Sequence, residues 1–451
     1  MYPNRAFLAI LLLLGGTIIA ATTWTSRANH LTRSETNGPH DKSRGKFIVH
    51  EWGTFTSFSG SNGIKLEFRP LADNDLPPFV LNRSTQSGEL NPFIKNDYRA
   101  RQRMETPVTY FYTDQPRHAR VRVGFPQGLL TEFYPPVEKM QPKFDWLKQE
   151  PMTNSELDWG DVWILPEDRV QVDAADSELK TKMREQVLKR IVPRATDHDH
   201  YTYARETDSA LLYVERPAFN KWKPGPAGIH FEKFLFYRGI GNFELPLKLT
   251  AHSDGHFEVA NIGTDPLRSL FLVTVKGNGI RYVKFNELRG GEQCVLTQTL
   301  AESSSDELSE AVVKALVEEH LYEKEARAMV KTWRSSWFGE QGTRLFYVLP
   351  QVATDKILPL TVEPKPDETI RVMVGRLEIM TPQEESRITD LVRQSVEARA
   401  EAAKNQVAYA VPKSIIDLGR LAEPALVRVQ NISQSGAIQG EAAQLLRQLP
   451  R

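Results

Sequence analysis

Cysteine is almost absent from this sequence, because Cys294 is the only one among 451 residues. A single thiol cannot form an intramolecular disulfide, so the fold must be stabilised by packing alone. Cys294 lies in the alternating segment 292–300, EQCVLTQTL, which has no histidine that could activate a thiol. We therefore expect Cys294 to act as a buried small hydrophobic residue rather than as a catalytic thiol.

Net charge is absent as well, since the chain has 57 Lys and Arg residues and 57 Asp and Glu residues. Nucleic-acid binding requires a basic surface, and general attraction to anionic lipid requires excess positive charge. The sequence also lacks the Gly-x-Ser-x-Gly elbow, the phosphate-binding loop, the dinucleotide-binding glycine motif, His-Glu-x-x-His and Cys-x-x-Cys. We expect neither a nucleic-acid nor a nucleotide partner, and any cofactor is unknown at this stage.

A long apolar run lies at the N-terminus, where residues 6–21 follow Arg5 and end at Ala20-Ala21. Small residues at this place are typical of a signal-peptide cleavage site. We predict that residues 1–21 are a secretory signal peptide or, alternatively, an uncleaved signal anchor, and that the polar residues 22–46 form a flexible leader. The protein is then periplasmic or extracellular, and the anchor alternative tethers it to the inner membrane.

Short alternating segments dominate residues 47–300, which we predict to be a β-rich body. It opens with two strands in 47–68 joined at Asn62-Gly63, a pair that tolerates positive φ. Strands at 105–113, 118–125 and 129–134 predict an antiparallel meander, and residues 177–191 predict a short amphipathic helix. The predicted fold class is α+β, mainly β, with an antiparallel β-sandwich or meander body.

Residues 244–300 have the most regular strand pattern, with strands predicted at 244–252, 256–262, 268–276, 280–285 and 292–300. The turns Asn261-x-Gly263 and Leu288-x-x-Gly291-Glu292 look similar to those of exported immunoglobulin-like modules. That resemblance implies a scaffold or adhesion architecture. His252 and His256 flank a Ser-Asp-Gly turn in what we expect to be an ordinary solvated hairpin. A three-residue loop there pairs Ala251 with Phe257 and His252 with His256, whereas a two-residue Asp-Gly turn would put the two histidines on opposite faces.

Helices are predicted in the last third of the chain. Residues 303–333 read as one long inserted helix, and residues 301–382 as this helix plus strands packed on the body. Residues 383–451 are predicted to be a helical C-terminal region. Its end resembles one HEAT-type helical pair with an inward-facing set of residues, Leu421, Leu426, Ala442 and Leu446.

Five segments, VHEWGTFTSF, METPVTYFY, HYTYARET, FLFYRG and RLFYVLP, look like those of a family of exported bacterial proteins of unknown function. The resemblance extends over most of the chain after the leader and is specific in VHEWGTFTS. It implies export and one continuous architecture, and it transfers no activity.

The best candidate for metal binding is the segment Asp197-His198-Asp199-His200. On a strand, His198 and His200 project from the same face, close enough to share one ion. Glu206 and His230 would complete a site that resembles the cupin pattern, although one residue too many precedes Glu206 and the motif before His230 is one residue short. The alternative is an exposed polar turn.

His50, Glu51 and Trp52 are the candidate catalytic and binding residues. His50 and Glu51 could act as general acid and base beside Trp52 as an aromatic sugar platform, because an apolar neighbour raises a carboxyl pKa. The alternative is a core strand whose polar residues are bound to backbone or arginine, since a tryptophan at a strand centre usually fills the core.

Two functions follow from these patterns. Because the chain is rich in aromatic residues, with 21 Phe, 13 Tyr and 8 Trp, and lacks a complete catalytic motif, we expect an envelope scaffold or binding protein for saccharide or protein surfaces. The alternative is a metal-dependent hydrolase or oxygenase with a cupin-like site at His198, His200, Glu206 and His230.

Overall fold

The computed structural model describes residues 45–70, 76–88, 98–145, 147–169, 177–195, 201–217, 227–297 and 302–449. The predicted signal segment and all but the last two residues of the predicted leader lie outside the described residues. Within the described part of the chain, no helix is both long enough and apolar enough to cross a membrane.

Strands make up most of the described chain. They are β1 (Phe47–Ser59), β2 (Lys65–Leu66), β3 (Leu81–Asn82), β4 (Gln102–Thr113), β5 (Arg117–Phe125), β6 (Gly128–Tyr134), β7 (Lys139–Gln141), β8 (Ser155–Leu165), β9 (Leu211–Arg216), β10 (Gly228–Glu232), β11 (Leu235–Gly241), β12 (Leu247–Ala251), β13 (His256–Asn261), β14 (Leu267–Lys276), β15 (Gly279–Leu288), β16 (Gln293–Thr297), β17 (Gly342–Leu349), β18 (Leu360–Glu363) and β19 (Glu368–Ile379).

The helices cluster towards the C-terminus. They are α1 (Arg83–Ser87), α2 (Ser177–Ile191), α3 (Ser305–Glu318), α4 (Glu323–Phe338), α5 (Gln351–Ile357), α6 (Pro382–Lys404), α7 (Lys413–Ile416), α8 (Ala422–Ile432) and α9 (Gly436–Gln448). Short 3-10 turns lie at Glu167–Arg169, Tyr201–Arg205 and Gly419–Leu421. The helix predicted at 177–191 is confirmed.

The strands form three sheets. The central sheet has the order β15-β14-β17-β19-β1-β4-β11-β6-β3, with β2 beside β1. A second sheet has the order β10-β9-β8-β5-β18 with β7 beside β8, and a third has the order β12-β13-β16. The predicted α+β, mainly β class with a sandwich body is confirmed. One feature differs from a purely antiparallel body, because β1 pairs in parallel with β19.

Both faces of the central sheet are covered. One face packs on the two smaller sheets around residues such as Phe55, Trp159 and Leu249. The other face packs on α3, α4 and the turn Tyr201–Arg205 around residues such as Trp52. As a result, β1 is buried at all 13 positions, and an alternating strand can have polar residues enclosed on both sides.

Consecutive strands often belong to different sheets. The strands predicted at 105–113, 118–125 and 129–134 are present as β4, β5 and β6, but β5 pairs with β8 and β18 while β4 and β6 flank β11. The five strands predicted in 244–300 are also present, and β14 and β15 join the central sheet while the others form the third sheet. Alternation identifies a strand and its faces, but not the neighbour that it pairs with.

The helix predicted at 303–333 is two helices, α3 and α4. Ser304 caps α3 through a capping box with Glu307, as the serine-rich start predicts. The chain then leaves the helix at His320, whose φ of 74° is left-handed, and a second capping box of Tyr322 and Glu325 starts α4. The apolar stripe continues across this break, so periodicity alone does not reveal it.

Residues after 300 complete the central sheet. β17 and β19 lie inside it, between β14 and β1, rather than on its outside. The C-terminal helices pack together with Phe58, Leu66 and Phe68 in a core of their own. In this core the inward orientation predicted for the helical pair is confirmed, with Leu426 and Ala442 buried and Leu421 and Leu446 partly buried.

The structure also decides two local predictions. At the hairpin between β12 and β13, Ala251 pairs with Phe257, and Gly255 has the positive φ of 90° that the three-residue loop requires. Cys294, predicted to be buried, is only partly buried and packs against the edge of the sandwich core. Burial raises the pKa of its thiol.

Candidate functional site

His50 and Glu51 lie side by side on β1 and point to opposite faces of the central sheet. His50 faces the helices, while Glu51 faces the sandwich core. Neither side chain is accessible, since the exposed fractions are 1% for His50 and 0% for Glu51. The structure therefore does not bring these two predicted residues together, because successive side chains of a strand alternate.

Glu51 accepts three hydrogen bonds inside the sandwich core. The donors are the Tyr237 hydroxyl at 2.6 Å, the Thr109 hydroxyl at 2.9 Å and Arg371 Nε at 2.7 Å. Although burial lowers the pKa of Arg371, the Glu51 carboxylate raises it above its ordinary value. The pair is a satisfied internal charge pair, which agrees with the core-strand alternative stated for this segment.

His50 belongs to a separate network that attaches α4 to the sheet. Its Nδ1 lies 2.8 Å from Glu325 Oε2, and the Tyr112 hydroxyl donates to Glu325 Oε1 at 2.8 Å. The Tyr322 ring covers His50 with ring centroids 4.4 Å apart. Burial, and next the Glu325 charge, raise the pKa of Tyr112, so this hydroxyl stays protonated and donates.

Trp52 is fully buried in the core between the sheet and the helices. Its ring lies 6.2 Å from that of Tyr110, which donates to the Ala204 carbonyl at 2.7 Å. A ring in this position contributes packing and has no face open to a sugar. The sequence predicts that Trp52 binds a sugar, but its side chain has no accessible surface in this structure.

The four predicted metal ligands are only partly described. His198 and His200 lie outside the described residues. Glu206 is exposed and pairs with Lys331 on α4 at 2.7 Å, whereas His230 on β10 faces the Tyr134 hydroxyl at 3.5 Å. Among the described residues, no three His, Cys, Asp or Glu side chains come together to hold a metal ion. The cupin-like site stays a prediction.

A cleft of about 1020 Å³ lies between α2, α3, α4 and the turn Tyr201–Arg205. We call it the helical cleft. Its floor is aliphatic, consisting of Leu188, Val192, Pro193, Val313, Ala328 and Val330. Val192, Val313, Ala328 and Val330 are buried by packing, so this floor is a firm surface.

Ion pairs form the rim of the helical cleft. On α4, Lys331 pairs with Glu206 at 2.7 Å and Lys324 pairs with Asp208 at 2.5 Å. These two pairs join α4 to the segment after the turn Tyr201–Arg205, so they set the width of the cleft. Two further pairs, Arg327 with Glu310 and Lys233 with Glu167, continue the rim. The three pairs on α4 are exposed, so they contribute little stability and a ligand can rearrange them at small cost.

Arg205 and Glu232 hold the turn that forms one wall. Arg205 Nη2 donates to Glu232 Oε2 at 2.6 Å, and the Tyr201 hydroxyl donates to the same oxygen at 3.1 Å. Although burial lowers the pKa of Arg205, Glu232 raises it. The Arg205 guanidinium also lies over the Tyr201 and Phe79 rings, which joins the turn to the segment before β3.

Sequence reasoning missed the helical cleft, because its residues come from segments spread between Glu167 and Arg334. A local signal was present in α4, where Lys324, Arg327, Lys331 and Arg334 recur at helical spacing and form one basic stripe. Such a stripe is also typical of a solvated helix face. Only the fold shows that a second wall stands opposite it.

Comparison with known proteins identifies no family for this chain. No family model matches it, and no curated protein matches it. Among solved structures, it is similar to the Fcho1 Mu homology domain of Danio rerio with bound Eps15 peptide, with a TM-score of 0.26 and 8% identity over 75% of this chain and 97% of that chain.

The yeast delta-COP-I mu-homology domain is a further match, with a TM-score of 0.24 and 8% identity over 76% of this chain and 98% of that chain. Its complex with Dsl1 WxWxV peptide has a TM-score of 0.23 and 7% identity over the same shares, 76% and 98%. TM-scores this low carry no argument about the fold or the function of this chain.

Proposed function

We propose that this protein is an exported binding protein of the cell envelope, and that it holds a segment of a partner protein in the helical cleft. The observation that carries the proposal is the lining of that cleft, an aliphatic floor surrounded by ion pairs. Protein–protein interfaces have the same arrangement, with an apolar centre and a polar edge. A volume of about 1020 Å³ has room for several side chains of a bound segment.

A protein partner is favoured over a saccharide by the kind of side chain in the cleft. Sugars are usually held against exposed aromatic faces. None of the described residues that line the cleft is aromatic, and Trp52, Trp159 and Trp337 are core residues. Because the rim carries both signs of charge, the expected segment has aliphatic side chains flanked by acidic and basic ones.

A binding role is favoured over catalysis by the same lining. The described lining residues include no histidine and no cysteine. Glu167, Glu206 and Glu310 are each paired with a lysine or an arginine, so these carboxylates are engaged. Export is supported by the apolar run at residues 6–21 and by the resemblance of VHEWGTFTS to exported proteins.

A peptide-display library panned on the chain from residue 22 tests this function. We expect enriched peptides to combine aliphatic residues with charges of both signs. The Kd of an enriched peptide is then measured against the original protein and Leu188→Glu. A carboxylate on the floor must lose its hydration when the peptide docks, so we expect binding at least about tenfold weaker.

The control variant is Leu147→Glu, which changes an exposed leucine that does not line the cleft. It should bind the peptide as the original protein does. Enriched peptides that bind Leu188→Glu with unchanged Kd, or a library that yields no peptide, would overturn the proposal.

A further inference from the structure

A second cavity, of about 710 Å³, lies where the central sheet meets the C-terminal helices. We call it the arginine cavity. Its lining comes from β17, β19, the segment after α4, the start of α6 and residues 414–421. Four arginines take part, namely Arg344, Arg376, Arg387 and Arg420. It lies apart from the helical cleft.

A row of polar residues crosses the sheet beneath this cavity. Arg376 on β19 is directly opposite Thr56 on β1, which is directly opposite Arg103 on β4. These side chains lie on the helix-covered face, at the end where the core with Trp52 stops. The core formed by the C-terminal helices begins beyond them. The two hydrophobic cores are therefore separated by a buried layer of charge.

Most of the hydrogen-bond donors in this layer are used within the protein. Arg344 donates to the carbonyls of Ser336 and Trp337 in the last turn of α4 and to those of Glu340 and Gln341 just after it. Arg376 Nε donates to Glu378 Oε1 at 2.6 Å, and its Nη2 donates to Glu340 Oε2 at 2.8 Å.

Arg376 Nη1 is the exception. It is buried and has no hydrogen-bond partner among the described residues, although Arg376 as a whole is only 1% exposed. A buried guanidinium N–H without an acceptor is costly, and native proteins rarely leave one unused. Because Arg376 belongs to the lining of the arginine cavity, a group bound in that cavity could supply the acceptor.

The charges of the lining favour a single negative charge on that ligand. Asp417 pairs with Lys413 at 2.6 Å, which neutralises it. Arg420 is paired with Glu105, whose carboxylate also pairs with Arg103. With these two residues included, five guanidinium groups face four carboxylates, those of Glu105, Glu340, Glu378 and Glu384. One positive charge is left over in the cavity.

We propose that the arginine cavity binds an organic carboxylate, whose oxygen accepts a hydrogen bond from Arg376 Nη1. A carboxylate carries one negative charge and matches the planar geometry of a guanidinium. Phosphate carries more than one negative charge near neutral pH and would face the glutamates of the lining uncompensated. The remaining volume holds the rest of the ligand, and the glutamates accept from its hydroxyl or amide groups.

Two matched pairs of probes test the proposal by calorimetric titration of the full chain from residue 22. The first pair is glucuronate and glucose, and the second is trialanine and trialanine amide. Within each pair only the carboxylate differs, and the two pairs distinguish a sugar acid from a peptide terminus. Inorganic phosphate is the fifth probe. We expect at least one carboxylate to bind, its neutral partner to bind at least about tenfold more weakly, and phosphate not to bind.

Variants then assign the binding to the cavity. Arg376→Lys keeps the charge but removes the planar group with Nη1. Arg387→Ala removes an arginine that lines the cavity from α6 and is exposed to solvent. Because loss of an exposed side chain leaves the core intact, this variant tests the cavity even where Arg376→Lys fails to fold. Arg393→Ala is the control, an exposed arginine on the same helix that pairs with Asp390 outside the cavity. The first two should weaken carboxylate binding about tenfold or more, and the control should not.

The proposal is wrong if neither carboxylate binds, if the neutral partners bind equally well, or if phosphate is the ligand that binds. It is equally wrong if a bound carboxylate is retained with unchanged Kd by both Arg376→Lys and Arg387→Ala.

Discussion

The buried carboxylates of this protein are paired with arginines that lie far away in the sequence. Glu51 meets Arg371 in the sandwich core, and Glu105 meets Arg103 and Arg420 beside the arginine cavity. Such pairs add little net stability compared with apolar residues, but the loss of one partner leaves a buried charge uncompensated. They therefore make the correct pairing of distant strands and helices necessary for a stable fold.

Glu105 gives the stability of the protein a defined dependence on pH. Although burial raises its pKa, the charges of Arg420, Arg103 and Arg376 lower it from 4.5 to about 2. Between these values the unfolded chain binds the proton and the folded chain does not, so stability is lost as the pH falls. Above pH 4.5, the Glu105 carboxylate contributes about 3 kcal/mol to the free energy of unfolding, and this contribution is lost as the pH falls towards 2.

Urea unfolding between pH 5 and pH 2 measures this contribution through its dependence on pH. The free energy of unfolding should fall less steeply with decreasing pH for Glu105→Gln than for the original protein. Glu215→Gln, which changes an exposed carboxylate on β9, should keep the original slope. Equal slopes for Glu105→Gln and the original protein would contradict the pairing.

At the level of elements, Glu325 attaches the start of α4 to the central sheet. Glu325 accepts from the backbone N–H of Tyr322 at 2.8 Å and so completes the cap of the helix. The same carboxylate binds His50 on β1 and the Tyr112 hydroxyl on β4. Because α4 also forms one wall of the helical cleft, this contact places the cleft relative to the central sheet.

We expect Glu325→Ala to loosen α4 as a unit. The change removes the cap and leaves His50 and Tyr112 without their acceptor, at a cost of about 2–4 kcal/mol. Hydrogen exchange followed by mass spectrometry should show faster exchange in α4. Glu323→Ala, at an exposed residue that pairs with Arg327, should change the free energy of unfolding by less than about 0.5 kcal/mol. A protected α4 in Glu325→Ala would refute the anchoring role.

For the whole molecule, the parallel pairing of β1 with β19 closes the fold. β19 and β17 lie between β1 and β14, so the two parts of the central sheet contributed by residues 47–300 do not touch without them. The segment 47–300 is therefore continuous in its strand pattern but incomplete as a folding unit. Such long-range pairing is slow to form, because a large loop must close first.

Truncation tests this dependence. A fragment of residues 45–300 should show no cooperative unfolding transition, because the middle of its main sheet is missing. A fragment of residues 45–381 contains the complete sheet and should unfold cooperatively. It should bind a hydrophobic dye, since Phe58, Leu66, Phe68 and Met380 lose the helices that cover them. Cooperative unfolding of the shorter fragment would show that the parallel pairing is dispensable.

The sequence by itself determined the features that depend on neighbouring residues. Alternation and turn residues located β12 to β16 and narrowed the 251–257 hairpin to two registers, one of which the structure has. Caps and periodicity located α2 and the start of α3. The orientation of the C-terminal helical pair also followed from local periodicity. In each case the interaction that forms the element spans only a few residues.

Only the tertiary structure decided which strands pair and which side chains meet. The parallel partner of β1, the division of β4, β5 and β6 between sheets, and the break at His320 are not encoded in a local period. His50 and Glu51 look like a pair in the sequence, yet they face Glu325 and Arg371 on opposite sides of a covered strand. The helical cleft and the arginine cavity each combine segments far apart in the chain, so their chemistry exists only after the sheet has closed.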